Sequence, residues 1–188
     1  DKRTKKGKEQ ALEYEKKGLT VVTPQDAALA SNMMQAICNN PVAWELLDKG
    51  KSEQSFWWSH DATGLDLKCR CDKINGDTVV DLKTTGEGGS APDVFTRTIT
   101  NLNYHLQAAH YLQGTGATNF VFVVIEKVFP YNIGVYKLEN EFLDYGYELQ
   151  EQALLKISEA VTSGKWLGYT DATKDGIITL DKPYWLSN

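Results

Sequence analysis

Gly64–Thr85 reads GLDLKCRCDKINGDTVVDLKTT, two alternating runs on either side of Asn75-Gly76. Successive side chains of a strand point to opposite faces. Asp81 and Lys83 therefore share a face with Val79, while Val80 and Leu82 point away. In the earlier run Leu65, Leu67, Cys69 and Cys71 form one face, and Asp66, Lys68, Arg70 and Asp72 the other. Asn-Gly is a strong hairpin signal because a type I′ turn needs positive φ at both central residues. With Asn75-Gly76 as the loop, Ile74 pairs with Asp77, Asp72 lies opposite Val79, Arg70 opposite Asp81 and Lys68 opposite Lys83. All of these residues from Lys68 to Lys83 then share one face, with Asp72 and Asp81 as diagonal neighbours within reach of a shared ion. Lys68 against Lys83 is a like-charge pair that needs carboxylates or a phosphate between its members.

Working outward, Ser52–His60 reads as a strand and Asp61-Ala62-Thr63-Gly64 as a turn. Glu53 then falls opposite Asp72 on the same face, with Ser55 and Trp57 following it. Carboxylates gathered in this way suit Mg²⁺ or Mn²⁺, which take oxygen ligands and keep several waters. A lysine beside such an ion can orient the attacking water or steady charge developing on phosphorus. The pattern suggests metal-dependent phosphodiester hydrolysis. Taken alone it fits equally well the solvated side of a hairpin or a structural ion-pair network.

Residues 1–18 are charged and helical toward Leu12-Glu13-Tyr14. Thr23-Pro24 is a cap and first-turn pair opening an amphipathic helix over 24–38, and Pro41 opens a shorter one through Leu47. Gly86–Pro92, GEGGSAP, is the most flexible-looking segment and follows the Asp-x-Lys strand, so it is expected at the mouth of the site. Arg97 is a candidate phosphate contact. Residues 101–114 form a helix on which Gln107 and Tyr111, four apart, share a face. His105 and His110 read as surface or packing residues. Asn119–Glu126, NFVFVVIE, reads as a strand buried on both faces. Ile133–Leu138 is the next strand, and 139–163 a helix stopped by Gly164. Asp171–Gly176 imitates the start of a calcium loop, but Lys182 stands where the bidentate Glu is required.

The chain has 188 residues, 41% hydrophobic and 24% charged, which suits one domain, with a helical part over 1–50 and a core over 51–188. There is no apolar run of membrane-spanning length and no signal peptide, and reduced Cys69 and Cys71 in the core fit a cytoplasmic setting. Neither a second cysteine pair nor suitably spaced histidines accompany them, which argues against zinc. A net charge of −5 argues against a general nucleic-acid coat protein, though not against a nuclease with local basic groups such as Lys2–Lys8. The chain opens on Asp1 rather than Met, as a piece of a longer protein would.

An Asp, a short hairpin and then Asp-x-Lys is the signature of the PD-(D/E)xK nuclease superfamily. Here it reads Cys71-Asp72, eight intervening residues and Asp81-Leu82-Lys83. Tyr104–Tyr111, YHLQAAHY, resembles the Q-xxx-Y helix motif of the RecB and lambda-exonuclease branch. KCRCDKI, DLKTT and YHLQAAHY resemble the nuclease domain of RecE (exonuclease VIII) and its phage relatives, from about Glu53 to Trp185. The resemblance implies an α/β fold with a mixed central sheet flanked by helices. It implies a metal held by Asp72, Asp81 and the carbonyl of Leu82, with Glu53 helping through water. Lys83 would act on the attacking water, and Gln107 and Tyr111 would place the scissile phosphate. It further implies 5′→3′ digestion of linear double-stranded DNA ends to leave 3′ single strands. Closed homo-oligomeric rings and a RecT-like annealing partner go with that implication.

The chain departs from the family pattern in two places. The metal-binding histidine that such nucleases carry before the first Asp is expected upstream of Asp1, because His60 falls on the opposite face in this register. Cys71 stands in place of the superfamily's proline. Alternatives are another nuclease of the superfamily, an endonuclease for example, or a non-catalytic DNA-end-binding module. A Cas4-like enzyme would need an iron–sulfur cysteine cluster that three cysteines in these places do not supply. Glycoside hydrolysis by the carboxylate pair would require neither Lys83 nor a metal.

Overall fold

A computed structural model describes residues 4–171 and 173–183. Lys2 and Arg3 of the basic run, Ala172 of the calcium-like loop, and Tyr184 and Trp185 lie outside the described residues. The elements are α1 (Lys5–Lys16), α2 (Pro24–Cys38), α3 (Pro41–Asp48), β1 (Lys51–Ser59), β2 (Asp66–Asn75), β3 (Thr78–Thr85), α4 (Pro92–Asn101), α5 (Tyr104–Thr115), β4 (Asn119–Glu126), β5 (Ile133–Lys137) and α6 (Asn140–Ser163).

Local chemistry sets most of these boundaries. The Thr23 hydroxyl accepts from Asp26 N at 3.1 Å while Pro24 occupies the first turn, where its missing N–H costs nothing. Asn40 caps α3 through Ala43 N, and α6 ends at Gly164 in the left-handed region. The helix over Pro92–Asn101 was not expected from sequence. Its hydroxyls of Thr96, Thr98 and Thr100 return to carbonyls four residues back, so the polar side chains are absorbed by the helix itself.

The strands form one sheet in the order β1-β2-β3-β4-β5. β1–β2, β2–β3 and β4–β5 are antiparallel, whereas β3 and β4 run parallel, joined across α4 and α5. The fold is therefore α/β with a mixed sheet, as expected. One face packs Val79, Phe120, Phe122 and Val124 against Phe95, Ile99, Ala108 and Leu112 of α4 and α5, with α6 outside them. On the other face, Val80, Val123 and Ile125 pack against Ile37 and Ala43 of α2 and α3. No helix among the described residues is long and apolar enough to cross a membrane.

The hairpin register differs from the sequence reading. Asn75 pairs with Thr78, Ile74 with Val79 and Lys73 with Val80, so Gly76 and Asp77 form the loop. Two non-local contacts enforce this arrangement. Asn75 Nδ2 donates to the carbonyls of Glu45 and Leu46 on α3, keeping Asn75 in the strand. Asp77 accepts from the backbone N and hydroxyl of Thr118 at the start of β4.

The regular alternation also breaks at Asp72. Ladder pairs run Ser52–Lys73 and Gln54–Cys71 but skip Glu53 and Asp72, and Glu53 has φ 54°. Ile74 lies on the α5 side below the break, while Cys69 and Cys71 lie there above it. Arg70 and Lys68 consequently point to the outer face, away from Asp81 and Lys83. The expected Lys68–Lys83 and Arg70–Asp81 oppositions do not form.

Candidate active site

The β2–β3 ladder stops at Lys73–Val80, and Asp72 occupies the opening beyond it. Its Oδ2 accepts from Leu82 N at 2.9 Å, so a side chain replaces the missing ladder bond and is aimed at the centre of Asp81-Leu82-Lys83. Asp81 projects from β3 toward α5 and is only 2% exposed. Buried carboxylates need partners. Lys83 Nζ lies 2.6 Å from Asp81 Oδ2, and Gln107 Nε2 donates to Asp81 Oδ1 at 2.8 Å. Lys83 closes the ring by donating to Gln107 Oε1 at 3.1 Å. A single carboxamide thus holds both members of the Asp-x-Lys pair.

Helix α5 supplies the remaining groups. Tyr111, one turn after Gln107, is half-buried and hydrogen-bonds with it; burial pushes its hydroxyl pKa up. The Lys83 ammonium sits 4.4 Å from the centre of the Tyr104 ring, within cation–π range. That ring is held by Phe122 and Phe95. Tyr104 is a site residue that the sequence reading left as a mere neighbour; its place one turn before Gln107 was the available signal.

The electrostatics are those of a carboxylate still under strain. Burial pushes the Asp81 pKa up, opposed by Lys83 and Gln107 and reinforced by the charge of Asp72. Beneath the pair, burial and the neighbouring Cys69 push the Cys71 thiol up to about 12, so it stays protonated and inert. The site therefore has one deprived carboxylate, a second beside it, and apolar walls.

The other residues singled out from sequence stand farther off. Glu53 is exposed, and its carboxylate pairs with Arg70 at 2.7 Å instead of joining Asp72 and Asp81. Arg97 pairs with Asp93 within α4. His60 is buried between Thr63 and Glu151 of α6, at 2.9 and 3.0 Å. His105 is packed between the rings of Phe142 and Tyr145.

GEGGSAP is anchored rather than loose. Glu126, 3% exposed at the end of β4, accepts from the backbone N and hydroxyl of Ser90 through Oε1 and from Asn132 Nδ2 through Oε2. Tyr136 donates to the carbonyl of Ser90. These bonds, with the Ser90 hydroxyl foremost, hold the Glu126 pKa below its ordinary value. A lone acid closing an apolar run was the signal that sequence reading passed over.

The donors fit a hard divalent cation. Asp72 and Asp81 converge, Asp81 gains from any added positive charge, and the available atoms are oxygens. Among the described residues no group of three or more His, Cys, Asp or Glu forms a metal cage, so such an ion would keep much of its water. Asp72 and Asp81 would hold it, with the carbonyl of Leu82 as the backbone ligand that the family resemblance implies.

Five solved chains match this fold. One is a protein from Eubacterium rectale described as a "Putative exonuclease", 15% identical, covering 94% of this chain and 70% of its own, with a TM-score of 0.63. Another is SSO0001, 16% identical over 69% of this chain and 61% of its own, with a TM-score of 0.39. No curated protein sequence matches. Residues 3–173 match the family model described as "PDDEXK-like domain of unknown function (DUF3799)". With Asp72, Asp81 and Lys83 set on the splayed hairpin and Gln107 bridging the last two, the chain belongs to this family, within the PD-(D/E)xK nuclease superfamily.

Proposed function

We propose that this protein is a divalent-metal-dependent deoxyribonuclease. The observation that carries the reading is the closed ring of Asp81, Lys83 and Gln107 beside Asp72. A structural ion pair has no need of a second carboxylate that raises the pKa of the first. A cation site does. Asp72 and Asp81 would hold Mg²⁺ or Mn²⁺, which would supply Lewis-acid activation of water and neutralise charge on the phosphate. Lys83, already a proton donor in this arrangement, is placed to donate to the attacking water or to a phosphate oxygen. Gln107 fixes the ammonium, and Tyr111 offers its hydroxyl from the next turn. The apolar floor of Cys71, Val79 and Phe122 excludes water from beneath and strengthens these interactions.

Within that class we favour an exonuclease acting 5′→3′ on linear double-stranded DNA and leaving 3′ single strands for annealing. The YHLQAAHY motif, resembling RecE, supports this, as does the fold shared with the Eubacterium rectale protein. A homo-oligomeric ring and a RecT-like annealing partner belong to the same reading. The second reading, a non-catalytic DNA-end-binding module, draws on the absence of a third acidic or histidine ligand among the described residues.

Digestion of 5′-labelled linear and circular duplex DNA with Mg²⁺, against EDTA and Lys83→Ala controls, separates these possibilities. The expected result is metal-dependent loss of the linear substrate with the circle spared, and at least a 100-fold loss in Lys83→Ala. Nicking of the circle would identify an endonuclease. Binding without cleavage under every metal condition would establish the module instead.

A further inference from the structure

Beyond Asp72 the β1–β2 hairpin leaves the sheet as a two-stranded arm with two unlike faces. Phe56, Trp58 and Cys69 on its inner face pack toward α5. There His110 packs against Trp58 at a tilt of 48°, with ring centres 4.8 Å apart, and hydrogen-bonds through Nε2 to the Lys68 carbonyl at 3.1 Å. A Cβ at Gly114 would collide with the Trp58 ring, so the helix and arm fit only because that position is glycine. The arm is thus fixed to the helix that carries Gln107.

Its outer face is bare. Trp57 is 73% exposed, directly opposite the exposed Lys68, with Ser55 opposite Arg70 beside them. Exposing a whole indole is costly in a chain with ample core to hold it. The acidic groups here are already engaged: Glu53 by Arg70 at 2.7 Å, and Asp66 by the Ser59 hydroxyl at 2.9 Å. Among the described residues, Lys68 has no acidic partner, while Arg70 pairs with Glu53 through Nε. Arg70 is two residues from Asp72 along β2, on the side of the arm opposite the one that packs on α5.

The geometry points to the outer face of this hairpin as a docking track for single-stranded DNA, with Trp57 as a base-stacking platform and Lys68 and Arg70 as its phosphate contacts. The inference rests on the nuclease reading for the identity of the ligand. Single strands are held by this combination, an aromatic surface on which any base can stack and cations that follow the backbone. At about 3.3 Å per residue, Lys68 lies roughly 13 Å along β2 from Asp72, a separation that a strand of a few nucleotides passing round the edge of the arm would span. A duplex keeps its bases stacked on one another and gains little from an exposed indole.

The test is equilibrium binding of a 5′-fluorescein oligothymidylate and of a duplex of the same length, read by anisotropy in EDTA so that no cleavage intervenes. Trp57→Ala is expected to weaken single-strand binding 5- to 100-fold while changing duplex affinity less than twofold, with Trp57→Phe retaining most of the affinity. Lys68→Ala should lower the slope of log K against log salt by about 0.7. Equal single-strand affinity in wild type and Trp57→Ala, or no single-strand binding by wild type, would overturn the track. So would a change in sedimentation with Trp57→Ala, which would assign the face to a second copy. Metal-dependent cleavage by wild type is measured separately, so failure of the nuclease reading shows in that assay and failure of the track in this one.

Discussion

Gln107 sits between a buried carboxylate and an ammonium, and the energetics of the site follow from that carboxylate. Because Asp81 is buried, its pKa in the folded chain lies above that of the unfolded chain, about 3.9. A raised carboxyl contributes stability that is complete below the unfolded value and is lost as pH rises through the folded one. Asp81→Asn should therefore abolish metal-dependent cleavage, and its stability relative to wild type should rise as pH goes from 4 to 7. Urea denaturation at pH 7 and pH 4 checks this. A relative stability that falls over the same interval would show that ionised Asp81 is a structural anchor. Gln107→Ala should act in the opposite sense, costing about 1–3 kcal/mol by leaving Asp81 Oδ1 without its donor. Asp72, Asp81, Lys83, Gln107 and Tyr111 could all be singled out from sequence by motif order. The place of Tyr104 one turn before Gln107 was open to the same reading, but its cation–π contact with Lys83 joins two elements and leaves no motif.

Elements were legible where their signals were local. The span of β4 follows from an unbroken β-branched run, and the starts of α2 and α3 from a capping residue followed by proline. The hairpin register was not legible, since Asn75 is held by carbonyls of α3 and Asp77 by Thr118, contacts that exist only after the helices and β4 are in place. The loop Gly86–Pro92 reads as flexible by composition, yet one buried acid pins it. Glu126→Gln should cost about 1.5–3 kcal/mol at pH 7, as charge-assisted bonds to Ser90 become neutral ones. A carboxyl whose folded pKa is lowered contributes stability above its unfolded value, about 4.3, and loses it as pH falls through the folded one. The gap between wild type and variant should therefore close as urea curves are taken from pH 7 to pH 3.5. Faster hydrogen exchange at Ser90 in the variant would localise the effect. Gly146 is a comparable constraint between helices, since a Cβ there would meet the carbonyl of His105. Gly146→Ala should push α6 off α5 and cost about 1–3 kcal/mol by thermal unfolding.

For the whole molecule, net charge and fold bear on function in different ways. A chain of net charge −5 binds nucleic acid through local arrangements rather than through its overall field. If two carboxylates repel each other in the folded chain and separate in the unfolded one, a divalent ion binds the native state selectively. Mg²⁺ at 100 times its dissociation constant should then add about 2.7 kcal/mol to stability. For a chain of this size that is a rise of roughly 5–10 °C in Tm. Asp81→Asn should abolish the rise, and an equal rise in both proteins would place the ion elsewhere.

The carboxamide of Gln107 has a direction. Its NH₂ end faces Asp81 and its carbonyl end faces Lys83, an arrangement that matches an acid without its proton beside a lysine that donates. A proton on Asp81 while Lys83 keeps its charge sets donor against donor and costs one of the three bonds. The side chain therefore favours the ionised form of Asp81, against the pull of burial, before substrate arrives. Glutamate in its place would have no donor for Asp81, and that preference would be lost.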